Sequence, residues 1–291
     1  MRSATVNKLD VKLNLDVNTE ESCSRILQTA IGIILFQRDQ IPLCYDLLKK
    51  AVEILIQKET TENEQQRSGL DCYQLKKQRK IAIGMWDRLQ YLFGEISNAT
   101  KKCTGNMRIS LLFGSTIYTA KEAFQIDVPT VNRNHYSAHH RNALEPILKH
   151  LALEMMLTDE FQPSGKISGP TNIFILLGVT PGSDQENNST ETTTAWQIIE
   201  NYQLPINCHK YEINVSQRDS NTHLHCCKEM DVFDDLVQAL QLNQNDTPAV
   251  NLNGNGDLTN STEFVWYQIG DPLKGYKEVL IRGKSMWDWE L

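Results

Sequence analysis

A chain of 291 residues is long enough for one large domain or two small ones, and it buries a sizeable core without disulfide or metal staples. Its 29 Lys and Arg against 36 Asp and Glu leave a formal net charge of −7, which gives no global electrostatic reason to seek a polyanion and disfavours nucleic acid as the main partner. A composition that is 40% hydrophobic and 22% charged excludes a chain disordered throughout or fibrous.

The N-terminal stretch MRSATVNKLDVKLNLD alternates polar and apolar residues and lacks the apolar core of a secretion signal; residues 1–18 are expected to form an arm. Thr19 is then a plausible N-cap, with Glu20 and Glu21 in the first turn and Cys23, Ile26, Leu27, Ala30, Ile33 and Ile34 at helical spacing, and Pro42 is expected to stop that helix. The longest apolar run, Ile31 to Phe36, falls far short of the ~20 residues that span a bilayer, so no membrane segment is expected. A second helical stretch runs from about Asp46 to Gln57, and the polar segment from Glu59 to Ser68 reads as a loop. From Gln74 to about Ile96 apolar residues recur again, preceded by Lys76, Lys77, Arg79 and Lys80, which read as a solvated face without assigned function.

Met107 to Phe113 is a continuous apolar run of strand length ending at Gly114, and Thr119 with Glu122 has the spacing of a capping box for a short helix. A polar loop from Pro129 to Asn142 leads into a long helix, Ala143 to Leu157. On it Leu144, Ile147, Leu148, Leu151 and Met155 form one stripe that must face a core. Ala152, Leu153 and Met156 project away from that stripe, flanked by Glu145 and Lys149. Periodicity alone leaves two readings open, a helix buried on two sides within its own domain or an interaction face. Beyond the polar link Gln162 to Gly169, Asn172 to Val179 is a clear strand; Trp196 to Tyr202 and Tyr211 to Val215 are candidate strands. Residues 216–261 are poor in apolar content apart from the amphipathic island Val232 to Leu242, and read as a long insertion. Phe264 to Gln268 is a short aromatic strand, followed by a tail ending in Met286-Trp-Asp-Trp-Glu-Leu291.

Catalytic signatures are absent from the sequence: there is no phosphate-binding Gly-rich loop, nucleophile elbow, His-Glu-x-x-His or Cys-x-x-Cys. Neither an enzyme nor a cofactor is expected. Cys208-His209 with His223, His225, Cys226 and Cys227 is the one cluster with zinc-type ligands, but adjacent cysteines chelate poorly and the spacing favours an incidental grouping. His139, His140 and His150 are expected to be surface histidines. Seven scattered cysteines, an odd number, read as free thiols in a reducing compartment, hence cytosol or nucleus, where Asn98-Ala-Thr100 and Asn188-Ser-Thr190 would not be glycosylated.

Four strings carry the reading further. Leu35-Phe-Gln37-Arg38-Asp-Gln40-Ile-Pro42-Leu43-Cys-Tyr45 comes first, then Arg108-Ile-Ser-Leu-Leu-Phe-Gly114 continued by Lys121-Glu122 and Asp127. Trp196, Asn201-Tyr202-Gln-Leu-Pro205 and His209-Lys210 make the third, and Trp266-Tyr267-Gln268 with Lys274-Gly275-Tyr276-Lys277-Glu278 the fourth. In order and spacing, from about residue 20 to 278, they resemble the comet family, binding partners of the mitotic checkpoint protein Mad-two. The chain departs from the family in lacking a long N-terminal extension, in the insertion at 216–261, and in a tail beyond Glu278.

The resemblance implies an α+β, HORMA-like fold over residues 19–278, with about three main helices on a largely antiparallel sheet, a C-terminal segment like a safety belt, and a tail at 279–291. It implies an adaptor that binds the closed conformer of Mad-two and presents it to a hexameric AAA+ ATPase for remodelling, which silences the spindle assembly checkpoint. The expected location is nucleus and cytoplasm, with spindle or kinetochore in mitosis. In the family, the end of the first helix and the later long helix meet the closed partner, which makes Gln37, Arg38, Lys149, Ala152, Leu153 and Met156 the expected partner-binding residues. Ala152 stands where relatives carry a bulky aromatic anchor, so Leu153 and Met156 must supply the buried area. Trp266, Tyr267 and Gln268 are expected to close the belt on the chain's own sheet. The alternatives are a meiotic or DNA-repair HORMA adaptor that captures a partner peptide, and a zinc-binding module.

Overall fold

The computed structural model describes residues 6–15, 17–61, 70–103, 106–132, 137–161, 167, 169–180, 196–217 and 264–290. The chain opens with a strand, Val6–Leu13 (β1), whose Leu9, Val11 and Leu13 are buried while Lys8, Asp10 and Lys12 face out, the period-two pattern of a half-buried strand. Helix Glu20–Gln37 (α1) starts at Thr19: its Oγ1 accepts from the Ser22 N–H at 3.3 Å, and the Ser22 hydroxyl accepts from the Thr19 N–H at 2.7 Å. This reciprocal pair satisfies two donors that a helix start leaves open. The helix ends at Gln37, short of Pro42, because Asp39 takes a left-handed φ of 53° and the Gln40 N–H reaches back to the Leu35 carbonyl at 2.9 Å. Helices Tyr45–Thr61 (α2) and Leu70–Lys102 (α3) follow, then strands Met107–Gly114 (β2) and Ala120–Asp127 (β3), helix Ser137–Leu157 (α4) and a 3₁₀ turn, Asp159–Phe161. Strands Asn172–Val179 (β4), Trp196–Ile199 (β5), His209–Gln217 (β6), Val265–Ile269 (β7) and Leu273–Lys274 (β8) precede a short helix, Met286–Glu290 (α5).

The eight strands of the described residues join one mixed sheet in the order β1-β6-β3-β2-β4-β7-β5, with β8 pairing the start of β4. β1 and β3 flank β6 in parallel, and the other pairs are antiparallel. The runs Leu111–Phe113 of β2 and Ile173–Leu177 of β4 are apolar on both faces because both faces are covered. Ile109, Leu111 and Phe113 of β2 and Ile173, Ile175 and Leu177 of β4 join the main core, while Leu112, Phe174 and Leu176 join a smaller cluster with Tyr202 and Cys208 on the other side. The buried apolar residues of the helices belong to the main core, so the helices pack on one face of the sheet.

The α+β class and a largely antiparallel sheet are observed, with four long helices and one short one among the described residues where about three main helices were expected. Thr119 and Glu122 do not cap a helix. Thr119 closes a turn with Thr116, and Glu122 lies in β3, which is paired on one edge by β2 and on the other by β6. A Thr-x-x-Glu spacing suits a helix start, but two flanking strands offer the backbone a better set of bonds than one turn of helix. The expected arm contains β1, recruited by β6, which starts some two hundred residues away. Helix α4 begins at Ser137, inside the expected loop, and β5 ends at Ile199, before a turn in which Asn201 has φ 52°. Ser216 and Gln217, the first residues of the expected insertion, are instead the end of β6, paired with Lys12 and Leu13 of β1, and the rest of it, with the island Val232 to Leu242, lies outside the described residues. No helix among the described residues is long and apolar enough to cross a membrane.

Candidate functional site

Helix α4 presents the two faces that its spacing predicts. Leu144, Ile147, Leu148, Leu151 and Met155 are buried, against α1 and β1. On the other side Leu153 is 56% exposed, Met156 40% and Leu157 76%, with Lys149 also exposed and Ala152 half-buried against the core. Phe36, beside Gln37 at the end of α1, is 39% exposed. Phe36 and Leu157 were not singled out from the sequence, although Leu157 is one turn beyond Leu153 and legible by the same spacing.

Gln37 ties the two helices together. Its Nε2 donates to the Met155 carbonyl at 3.2 Å, one of the acceptors that the last turn of α4 leaves open, and the Thr158 hydroxyl donates to another, the Glu154 carbonyl, at 2.6 Å. The Gln37 Oε1 is buried without a hydrogen-bond partner among the described residues. Gln37 therefore positions the apolar face as much as it borders it. Along the same seam, Arg25 donates to Glu145 at 2.6 Å.

Arg38 is a correction. Expected on the partner-binding surface, it is turned inward with its side chain 2% exposed. Its Nε donates to Glu122 Oε2 at 2.7 Å, a terminal nitrogen donates to the Phe161 carbonyl at 2.9 Å, and the guanidinium lies over the rings of Phe124 and Tyr211 at 4.9 and 5.2 Å. A buried guanidinium needs a buried counter-charge, and the Glu122 of the supposed helix cap supplies it.

The aromatic strand lies on the chain's own sheet. In β7, Gly178, Leu177 and Leu176 of β4 stand opposite Trp266, Tyr267 and Gln268, whose other neighbours are Ile199, Ile198 and Gln197 of β5. Trp266 packs edge-on to Tyr202 at 5.6 Å on the smaller cluster and covers Gly178, where a Cβ would meet its ring at 3.0 Å. Tyr267 faces the main core beside Trp196, whose indole N–H donates to Glu95 at 3.0 Å.

The first and last of the four strings meet at Gln40, a buried residue to which the sequence assigned no role. Gln40 Nε2 donates to the carbonyls of Arg38 at 2.6 Å and Gly169 at 3.2 Å, its Oε1 accepts from the Thr171 N–H at 2.9 Å, and its own carbonyl accepts from the Tyr276 N–H at 2.8 Å. Gly275 is required at this crossing because a Cβ there would run into Gln40 Oε1 and come within 3.0 Å of Pro170. The buried Tyr276 hydroxyl donates to Gln78 at 3.0 Å, and burial pushes that phenol above its usual range.

Among the described residues no group of three or more His, Cys, Asp or Glu is placed to hold a metal ion. Cys208 is buried, and His223, His225, Cys226 and Cys227 lie outside the described residues. Cys23 is buried too, which pushes its thiol up to about 12 despite a hydrogen bond from Asn18, so it stays protonated and unreactive. Lys76, Lys77 and Lys80 are exposed and line a cleft of about 600 Å³ with Tyr73 and Ile81, whereas Arg79 of the same basic run is buried. No protein-family model matches the chain, and a search of curated proteins returns no match.

Proposed function

We propose that this protein is a non-catalytic adaptor of the comet kind. It docks on the closed conformer of the HORMA checkpoint protein Mad-two and presents it to a hexameric AAA+ ATPase, which ends the spindle checkpoint signal. The observation that carries the proposal is the exposed apolar strip of Leu153, Met156 and Leu157, with Phe36 at the neighbouring end of α1. Such a strip, on a rigid helix fastened by Gln37 and rimmed by Lys149, has the form of a protein interface: an apolar centre with a polar edge. Ala152 adds little area, so Leu153 and Met156 act as the anchors. The four strings in their order support the family reading and, with it, a HORMA-like fold in which β7 and β8 are the closed safety belt. Pairing of β7 on both edges, by β4 and β5, favours a belt closed on this chain over one that captures a partner peptide.

Mechanistically, an adaptor that binds one of two conformers draws the equilibrium toward it by no more than its differential affinity for the two. The test is the double variant Leu153→Glu with Met156→Glu, titrated by calorimetry against Mad-two held closed and Mad-two held open. Both side chains are exposed, so the circular dichroism spectrum should not change. Affinity for the closed form should fall by about 100-fold, or about 2.7 kcal/mol, the scale of a lost central anchor. Gln37→Ala should weaken binding less, by loosening the α1–α4 seam. Undiminished affinity in the double variant would remove α4 as the docking face.

A further inference from the structure

After Tyr276 the chain leaves the sheet and does something that neither the docking face nor the aromatic strand requires. Residues 277–280 are fully on the surface, with Val279 41% and Leu280 59% exposed, and bridge two buried anchorages. The first is Tyr276, held by Gln40 through its backbone and by Gln78 through its hydroxyl. The second begins at Ile281, where Arg282 and Gly283, both at positive φ, make a tight turn that brings Lys284 back opposite Ile281. Ser285 then starts α5: its N–H donates to Asp288 at 3.1 Å and its hydroxyl accepts from the Trp287 N–H at 3.1 Å. Helix α5 packs on α2 and α3 with Met286 and Trp287 buried in the main core, and Trp287 lies against the ring of Tyr276 at 6.0 Å. Arg282 pairs with Asp71 at the start of α3.

We propose that residues 279–290 are a clasp that locks the C-terminal strap, the run from β7 through β8 to Tyr276, onto the helical layer, and that release of this clasp is the local event that must precede any detachment of the strap. The order of attachments argues it. The strap is paired to β4 at Val265–Gln268 and again at Leu273–Lys274, then pinned at Tyr276, and the ring that covers Tyr276 belongs to the clasp. A strap whose end is held twice opens only after the outer hold has gone. The clasp is also built for release. Its ion pair is largely exposed, its turn and link are on the surface, and the Trp287 Nε1 is buried with no hydrogen-bond partner among the described residues. Apolar burial of Ile281, Met286 and Trp287 is thus what keeps it shut.

Hydrogen exchange followed by mass spectrometry on the full chain, on Trp287→Ala and on Trp287→Phe decides the matter without any partner, so its outcome is independent of the docking reading. In Trp287→Ala, amides of β7, β8 and residues 275–276 should exchange at least tenfold faster while those of β2 and β3 keep their rates. Trp287→Phe, which keeps an apolar ring and removes the unpaired N–H, should protect the strap as well as Trp287 does. Equal acceleration across the whole sheet in Trp287→Ala, or no change in the strap, would overturn the clasp.

Discussion

Arg38 and Glu122 are the residues whose environment departs furthest from their chemistry, since both are charged and both are nearly inaccessible. Removal of one partner leaves the other charge buried and uncompensated, which costs about 3–5 kcal/mol, whereas replacement of both by apolar residues of similar volume is far milder. Glu122→Gln should therefore lower the melting temperature by on the order of 10 °C. Arg38→Met combined with Glu122→Leu should be more stable than either single change. Thermal melts of the four proteins read the coupling, and additive losses would show that the pair does not act as a unit. If Arg38 instead acted on a partner surface, its removal would weaken binding and leave the melting temperature where it was.

Among the elements, β1 is the one most exposed to conditions, because it sits at the sheet edge and is held there mainly by β6. Lys8 of β1 and Lys210 of β6 both reach Glu212, at 3.1 and 2.6 Å. Burial works to raise the Glu212 pKa, but hydrogen bonds from Lys210 and Lys8 outweigh it and hold the carboxyl below the usual glutamate range. A carboxyl depressed in the folded state contributes stability above its unfolded pKa, about 4.3, and that contribution is lost as pH falls through the lower, folded value. Glu212→Gln should thus be less stable than the parent at neutral pH, and the gap between their melting temperatures should close on acidification toward about pH 3. A gap independent of pH would mean that the carboxylate charge plays no part in holding β1.

At the scale of the molecule, one hydrophobic core runs from Leu9 in the first strand to Trp287 in the last helix. Sheet order places β1 beside β6 and β7 beside β4, so neither end of the described chain closes its contacts locally. Such a core ties the two ends of the described chain together, so global unfolding should be one cooperative transition, with opening of the clasp a local event within the folded state. Circular dichroism and tryptophan fluorescence should give coincident thermal curves. A separate early transition in fluorescence, to which Trp86, Trp196, Trp266 and Trp287 all contribute, would show a sub-unit of the fold, larger than the clasp, that opens independently.

Local periodicity by itself determined the faces of α1 and α4, the apolar runs of β2 and β4, and hence an outward strip at Leu153 and Met156, because a helix or strand projects its side chains at fixed angles whatever lies around it. The N-cap at Thr19 was legible for the same reason, its bonds being made within four residues. Only the tertiary structure decided that Ala120 to Asp127 is a strand, that β1 joins β6, that Arg38 points inward, and that Gln40, Tyr276 and Trp287 fasten the C-terminal run. Each of these depends on a partner far away along the chain. A buried charge or an edge strand takes its place from whichever distant group satisfies it, and no short window of sequence contains that group.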